Sequence, residues 1–206
     1  MNHVVKFWLA LLLALVGLYG GYSLWRISSR SAADAQASSA GQADRAPLTG
    51  FKVGAFKLIE RSGKPFDSRE LKGKVWVASF FYSNCSGACL ALNNGIAALQ
   101  DDLAGDPVTF VSITVDPERD TPERLREYAA HYGADPERWL FLTGDADEIE
   151  RVVVDGFKVA FSQVSHSDRM ILVDREGRVQ GYFFGTDPSQ VTVLKRRIAK
   201  LVEGGT

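Results

Sequence analysis

The sequence predicts an α/β fold in which helices cover a largely parallel sheet. Two apolar segments, residues 74–82 (KVWVASFFY) and 108–115 (VTFVSITV), are typical of strands that are buried on both faces. Apolar residues recur at helical spacing in the segments that follow them. Buried strands joined by helices predict parallel pairing, because each helix has to carry the chain back across the sheet.

The elements around the first strand are indicated by turn residues and periodicity. Residues 56–66 (FKLIERSGKPF) contain two short runs of β-forming residues around Ser62-Gly63, which predicts a hairpin. After residues 74–82 a helix is expected to end near Gly105. Its apolar stripe comprises Leu92, Ile96, Leu99 and Leu103.

The second half of the domain continues the alternation of helices and strands. Thr121 is a favourable N-cap and Pro122 fits the first helical position, so a helix is predicted from there to Gly133. Asp145 and Glu148 have the spacing of a capping box, which predicts another helix. The remaining predicted elements are a strand at 139–142, strands at 170–173 and 179–184 around a turn at 175–177, and a last helix from Asp187-Pro188.

This order of elements predicts a thioredoxin-like arrangement with an additional N-terminal β-hairpin, within a globular domain at residues 50–206. The hairpin formed by the last two strands adds an antiparallel edge to the sheet. Residues 28–49 are rich in Ala, Ser, Gly, Asp and Gln and show no apolar period, so we predict a flexible linker there.

The N-terminal residues predict a membrane anchor within residues 1–27. Residues 7–25 carry no charge, and their length is close to the about 20 residues that cross a bilayer as a helix. Aromatic residues lie toward both ends of this segment, as interfacial residues do. A buried core helix and a cleavable signal peptide are the alternatives. Lysine and arginine are nearly balanced on the two sides, so charge does not determine the orientation.

Composition excludes one class of partner. The chain has 206 residues, and its 24 basic and 25 acidic side chains give a formal net charge of −1. These charges are interspersed and form no basic stripe, so we expect no nucleic-acid partner. The oligomeric state does not follow from the sequence.

Both cysteines of the chain lie four positions apart where a predicted strand gives way to a predicted helix. Cys85 follows the strand and Cys89 opens the helix, where the helix N-terminus is expected to stabilise a thiolate and lower its pKa. A disulfide, a metal site and inert packing are all compatible with the pair. Two thiolates are too few for structural zinc, whereas thiolates with an imidazole suit copper.

Three histidines are available as a further ligand. His3 precedes the predicted anchor, and His131 lies near a helix C-terminus, which favours its cation without any ligand role. His166 lies in a polar segment just before a predicted strand, and a histidine in such a loop is often simply solvated. Together with Cys85 and Cys89 at one edge of the sheet, it completes a candidate metal site.

Three segments together resemble the Sco family, also called SenC/PrrC. They are CSGAC at 85–89, SITVDPERDTPERLREYAAHYG at 112–133 and SHSDRMILVDREG at 165–177. The resemblance implies a thioredoxin-like domain on one N-terminal membrane helix, facing the periplasm or an equivalent outer compartment. It also implies a copper metallochaperone that serves the CuA subunit of cytochrome c oxidase, with Cys85, Cys89 and His166 as copper ligands.

The site departs from the family pattern at three positions. Ser86 and Leu90 stand where the family usually has proline, and Ser165 stands where it often has aspartate. A carboxylate next to the histidine would orient the imidazole, so its absence bears on copper affinity. Asp116 and Asp120 flank a loop that could approach the site, but capping of the helix that follows and of the turn before it is the simpler interpretation.

Two other functions use the same cysteines. The dithiol could serve a thiol–disulfide oxidoreductase that acts on cysteines of an oxidase subunit or another periplasmic target, although such enzymes typically use C-x-x-C. A reductase needs only the redox-active pair Cys85 and Cys89, whereas a copper site needs His166 as well. A thiol peroxidase is disfavoured because Tyr82 stands where threonine or serine is expected. We therefore expect a binding and delivery protein rather than an enzyme.

Overall fold

The computed structural model describes residues 49–85, 87–161 and 168–204, together with Asn2. The predicted anchor, nearly all of the predicted linker, Ser86 and His166 lie outside the described residues. Among the helices of the described part, none combines the length and apolar character that crossing a membrane requires.

A seven-stranded mixed sheet forms the centre of the domain, in the order β2-β1-β5-β4-β3-β6-β7. The three central strands β3, β4 and β5 pair in parallel, and the strands on either side pair antiparallel. The strands are β1 Lys57–Glu60, β2 Pro65–Asp67, β3 Val75–Phe81, β4 Val108–Thr114, β5 Trp139–Thr143, β6 Arg169–Val173 and β7 Val179–Phe184.

In the described part of the chain, four α-helices accompany the sheet: α1 Ala88–Asp102, α2 Pro122–His131, α3 Ala146–Arg151 and α4 Pro188–Val202. Their N-termini are largely those that the capping residues predict. The side chains of Thr121, Asp145 and Asp187 each accept a hydrogen bond from a backbone N–H in the first turn of α2, α3 and α4. The sequence predicts one regular helix after Asp145, but α3 continues as a π-helical turn at Val152–Gly156.

Alternate side chains of β3 belong to two different apolar clusters, as expected for a strand that is covered on both faces. Trp76, Ala78 and Phe80 belong to the cluster that includes β1 and α3. Val75, Val77 and Phe81 belong to the cluster that includes α1, α2 and α4. The α/β class, the N-terminal hairpin and the antiparallel edge are thus confirmed, and the start of α1 is fixed against the end of β3.

Candidate metal and thiol site

The candidate site occupies the turn between β3 and α1. β3 ends at Phe81, the backbone N–H of Cys85 donates to the carbonyl of Tyr82 (3.2 Å), and α1 begins at Ala88. Gly87 occupies the N-cap position and offers no side chain to the free N–H groups of the first turn. The backbone N–H groups of Gly87 and Cys89 hydrogen-bond to Cys85, and both thiols are free.

The two cysteines differ in exposure although their side chains contact each other. Cys89 is 0% exposed and belongs to the core cluster beneath α1, whereas Cys85 is partly exposed and packs against the edge of that cluster. A hydrogen bond links their side chains. An incoming metal ion or thiol reagent therefore meets Cys85 first.

Hydrogen bonds make Cys85 the more acidic thiol. Partial burial by itself raises the pKa, but the backbone N–H groups of Gly87 and Cys89 and the side chains of Tyr82 and Cys89 favour the thiolate more strongly. The pKa of Cys85 is lowered to about 7, well below its ordinary value. The same contact raises the pKa of the Tyr82 hydroxyl, because that hydroxyl faces the developing thiolate.

The expected low pKa of Cys89 is wrong. Burial raises its pKa to about 12, and the neighbouring Cys85 thiolate opposes a second negative charge. The backbone N–H of Tyr82 donates to the Cys89 sulfur, yet this does not offset the loss of solvation. The N–H groups at the helix N-terminus thus stabilise the thiolate of Cys85, which lies just before α1, more than that of Cys89 inside the helix.

Of the two histidines in the predicted globular domain, the structure describes His131 but not His166. His131 lies in the last turn of α2, near the helix C-terminus as the sequence predicts. Its ring packs against that of Tyr132 (5.0 Å between ring centroids). His166 lies outside the described residues, but β6, which follows it, begins at Arg169 and runs antiparallel to β3. The start of β6 therefore lies at the edge of the sheet where β3 ends and Cys85 follows. Within the described ranges no group of three or more potential ligands converges on one point.

Thr121, rather than Asp116 or Asp120, caps α2 through its side chain. Asp116 lies in the turn before α2, as expected, and pairs there with Arg119 (2.7 Å). Asp120 is fully buried and accepts hydrogen bonds from the backbone N–H of Ser83 (3.0 Å) and from the hydroxyl of Thr114. Sequence reasoning missed this contact with the cysteine turn, since no local spacing links Asp120 to Ser83.

Fold and site together define a thioredoxin-like protein with a dithiol at the start of its first helix. The family model SCO1/SenC matches residues 45–203. The chain is also 33% identical over 156 residues to the SCO1 protein homolog of Bacillus subtilis, which covers 71% of this chain and 80% of the relative. The chain therefore belongs to the SCO1/SenC family.

Solved structures of relatives share the fold. BsSco, in which a disulfide switch was identified and which is a member of the Sco family of cytochrome c oxidase assembly proteins, is 29% identical with a TM-score of 0.67. That match covers 77% of this chain and 96% of BsSco. Arabidopsis thaliana ScoI with copper bound is 26% identical with a TM-score of 0.61, and the match covers 74% of this chain and 99% of the relative.

The donor set of this chain fits a soft metal ion. The two free thiols lie in contact at the start of α1, and the thiol of Cys85 ionises near neutral pH. Thiolate sulfur is the donor that Cu(I) prefers, and an added imidazole also suits Cu(II).

Proposed function

We propose that this chain is a membrane-anchored copper metallochaperone that assists assembly of the CuA centre of cytochrome c oxidase. The observation that carries the proposal is the pair of free, contacting thiols at the start of α1, with Cys85 partly exposed and Cys89 buried behind it. Membership of the family and the copper-bound state of its plant relative support copper as the ion.

Cys85, Cys89 and His166 are the proposed copper ligands. Cys85 is the accessible donor, and its low pKa makes the thiolate available near pH 7 without a strong base. Cys89 supplies the second sulfur from the core side. The start of β6 at the cysteine edge supports the assignment of His166, because His166 precedes the first residue of β6 by three positions in the sequence.

Delivery requires a site that both binds and releases copper. Because Cys85 is partly exposed, the thiolates of a second protein can bind the copper ion before the ion dissociates from Cys89. Oxidation of Cys85 and Cys89 to a disulfide removes both sulfur donors, so the redox state of the pair controls whether copper is held. The disulfide switch identified in BsSco supports this link in a relative.

We also propose that residues 7–25 hold the domain at the inner membrane, on its periplasmic side. Support comes from the uncharged sequence of that segment and from the oxidising setting that a reversible disulfide needs. A cysteine-free reporter fused after Thr206 tests the orientation. Activity in the outer compartment is expected, and activity in the cytoplasm would contradict the proposal.

The variant His166→Ala separates copper delivery from thiol reduction. Loss of the imidazole leaves two sulfur donors, which still hold Cu(I) but hold Cu(II) poorly. The thiols themselves keep their hydrogen bonds, so the rate of thiol–disulfide exchange should change little. Three quantities are measured in the same variant: the Cu(II) affinity, the exchange rate and the amount of active oxidase that cells assemble.

We expect lost Cu(II) binding and lost oxidase assembly with near-normal thiol exchange. His131→Ala is the matched control, because it removes an imidazole from the end of α2 and should alter none of the three quantities. Normal oxidase assembly in His166→Ala despite lost Cu(II) binding would favour a thiol reductase, or delivery that uses Cu(I) alone. Unchanged Cu(II) binding would remove His166 from the site.

A further inference from the structure

The segment that begins α2 holds the cysteine turn at Ser83. The carboxylate of Asp120 accepts the backbone N–H of Ser83 (3.0 Å), and the Nε of Arg124 donates to the Ser83 hydroxyl (3.3 Å). Both residues belong to DTPER at 120–124, the stretch in which α2 begins. Ser83 is thereby attached to α2 through its backbone and its side chain, two residues before Cys85.

Asp120 is more deeply buried than a capping carboxylate needs to be. It is 0% exposed, and the Oδ2 that binds Ser83 also accepts from the hydroxyl of Thr114 at the end of β4. Its buried Oδ1 has no hydrogen-bond partner among the described residues. Burying a carboxylate costs free energy unless hydrogen bonds compensate for the lost solvation. Here the compensating bonds join the cysteine turn to the end of β4.

The turn that Ser83 belongs to lies directly on Cys89. The backbone N–H of Tyr82 donates to the Cys89 sulfur, and the side chains of Tyr82 and Cys85 pack against the cluster that contains Cys89. Cys89 is 0% exposed, although it is only the second residue of α1. Movement of Ser83 away from α2 would therefore uncover this thiol.

We propose that Asp120 is a positioning residue that keeps the turn at residues 82–85 closed over Cys89. Its bond to Ser83 sets the difference in access between the two thiols, so that partners and reagents reach Cys85 first. The inference concerns the same dithiol as the proposed function, but it does not depend on copper and is tested on the metal-free protein. A failed copper assay and a failed test of Asp120 are therefore separate results.

The test compares alkylation of the two cysteines in Asp120→Ala and Asp120→Asn. The reduced, metal-free full chain is treated with iodoacetamide in detergent at one fixed pH, and mass spectrometry follows labelling of each cysteine with time. Asn keeps an oxygen that accepts from Ser83 and Thr114, whereas Ala removes the acceptor. The measured quantity is the labelling rate of Cys89 divided by that of Cys85.

Ser112→Ala is the matched control for a general loss of stability. The Ser112 hydroxyl contacts the Ser79 hydroxyl (2.8 Å) and accepts from the Trp139 indole (2.9 Å), and it is fully buried in β4 like Thr114. None of these partners belongs to the cysteine turn. Unfolding midpoints in urea are recorded for every variant, so that labelling through global unfolding is recognised by its equal occurrence in the control.

In Asp120→Ala we expect the rate ratio to rise by about tenfold or more, the effect of losing a hydrogen bond to a charged acceptor. Asp120→Asn should stay within about threefold of the parent, since a neutral acceptor retains part of that bond. If Asp120→Ala does not fold, Thr114→Val is measured instead and should raise the ratio by a smaller amount. An unchanged ratio in the folded variant, or an equal rise in Ser112→Ala, would overturn the proposal.

Discussion

At the scale of single residues, the two thiols are chemically different because one side of the turn faces solvent and the other faces the core. Hydrogen bonds lower the pKa of Cys85 to about 7, and burial raises that of Cys89 to about 12. The dithiol thus has an accessible member that is partly ionised at neutral pH and a covered member that stays protonated. Such a pair can present one sulfur to a partner while the other stays in place.

The first prediction concerns the pH dependence of alkylation. Since the thiolate is the nucleophile, the rate at Cys85 should rise as pH passes through about 7 and then level off. Cys89 should react slowly over the same range, because its pKa is about 12 and it is buried. Iodoacetamide rates between pH 5 and 10 on the metal-free chain measure both. A Cys85 midpoint near the ordinary thiol value of about 8.5 would contradict the proposed hydrogen bonds.

The second prediction concerns the hydroxyl of Tyr82. This group favours the Cys85 thiolate, so Tyr82→Phe should move the midpoint of Cys85 alkylation to higher pH. Tyr182→Phe is the matched control: its hydroxyl donates to the carbonyl of Phe157 (2.7 Å), outside the cysteine turn. The same rate measurement applies to both variants. Equal midpoints in Tyr82→Phe and the parent chain would show that the hydroxyl plays no part.

The sequence predicts where these residues lie better than it predicts how they ionise. Cys85 after a strand and Cys89 at the opening of a helix follow from local patterns. The pKa values depend on which thiol the turn covers, and that is decided by contacts such as Asp120 with Ser83, 37 residues apart. Such contacts have no local signature, so the sequence points to Cys89 as the thiol that the helix N-terminus stabilises, whereas the structure gives that place to Cys85.

At the scale of the elements, α1 packs closely against the connection between β7 and α4. A Cβ placed on Gly185 would lie 2.9 Å from the Met170 Cε, 3.0 Å from the Leu92 Cδ1 and 3.2 Å from the Asp168 carbonyl oxygen. The backbone N–H of Gly185 also donates to that carbonyl (2.7 Å). This glycine therefore allows the start of β6 to approach α1 on the side of the sheet that holds the thiols.

The third prediction is that Gly185→Ala destabilises the domain. The added methyl group has to displace Met170 and Leu92 in a filled core, which typically costs about 1–3 kcal/mol. Gly105→Ala is the control, because a Cβ there meets nothing within 4 Å and should change stability by less than about 0.5 kcal/mol. Urea unfolding of the two variants measures the difference. Equal stabilities would contradict the close packing at Gly185.

Most elements of the domain were predictable because capping residues and apolar periods coincide. Thr121 with Pro122 fixes the start of α2, and the alternation of turn and β-forming residues fixes β6 and β7. The π-helical turn at Val152–Gly156 was not predictable, since Val152 and Val153 fit a regular helix equally well and the longer turn is settled by packing. The tight approach of Gly185 likewise depends on tertiary contacts.

At the scale of the whole molecule, topology gathers the site at one edge of the sheet. β3 delivers the cysteine turn, and the antiparallel β6 starts at the same edge. Beneath the turn, α1 and α2 pack against one apolar cluster that includes Cys89. Cys85 and His166, two of the proposed copper ligands, are about 80 residues apart in the sequence.

The copper content of the purified chain tests the central proposal most directly. The full chain, reduced and loaded with Cu(I), is freed of unbound metal and assayed for copper and protein, beside Cys85→Ser, Cys89→Ser and the control Ser83→Ala. Each cysteine variant has too few soft donors for tight binding. We predict about one copper per chain in the parent and in Ser83→Ala, and almost none in the cysteine variants. Undiminished copper in Cys85→Ser would place the site elsewhere and contradict the proposed function.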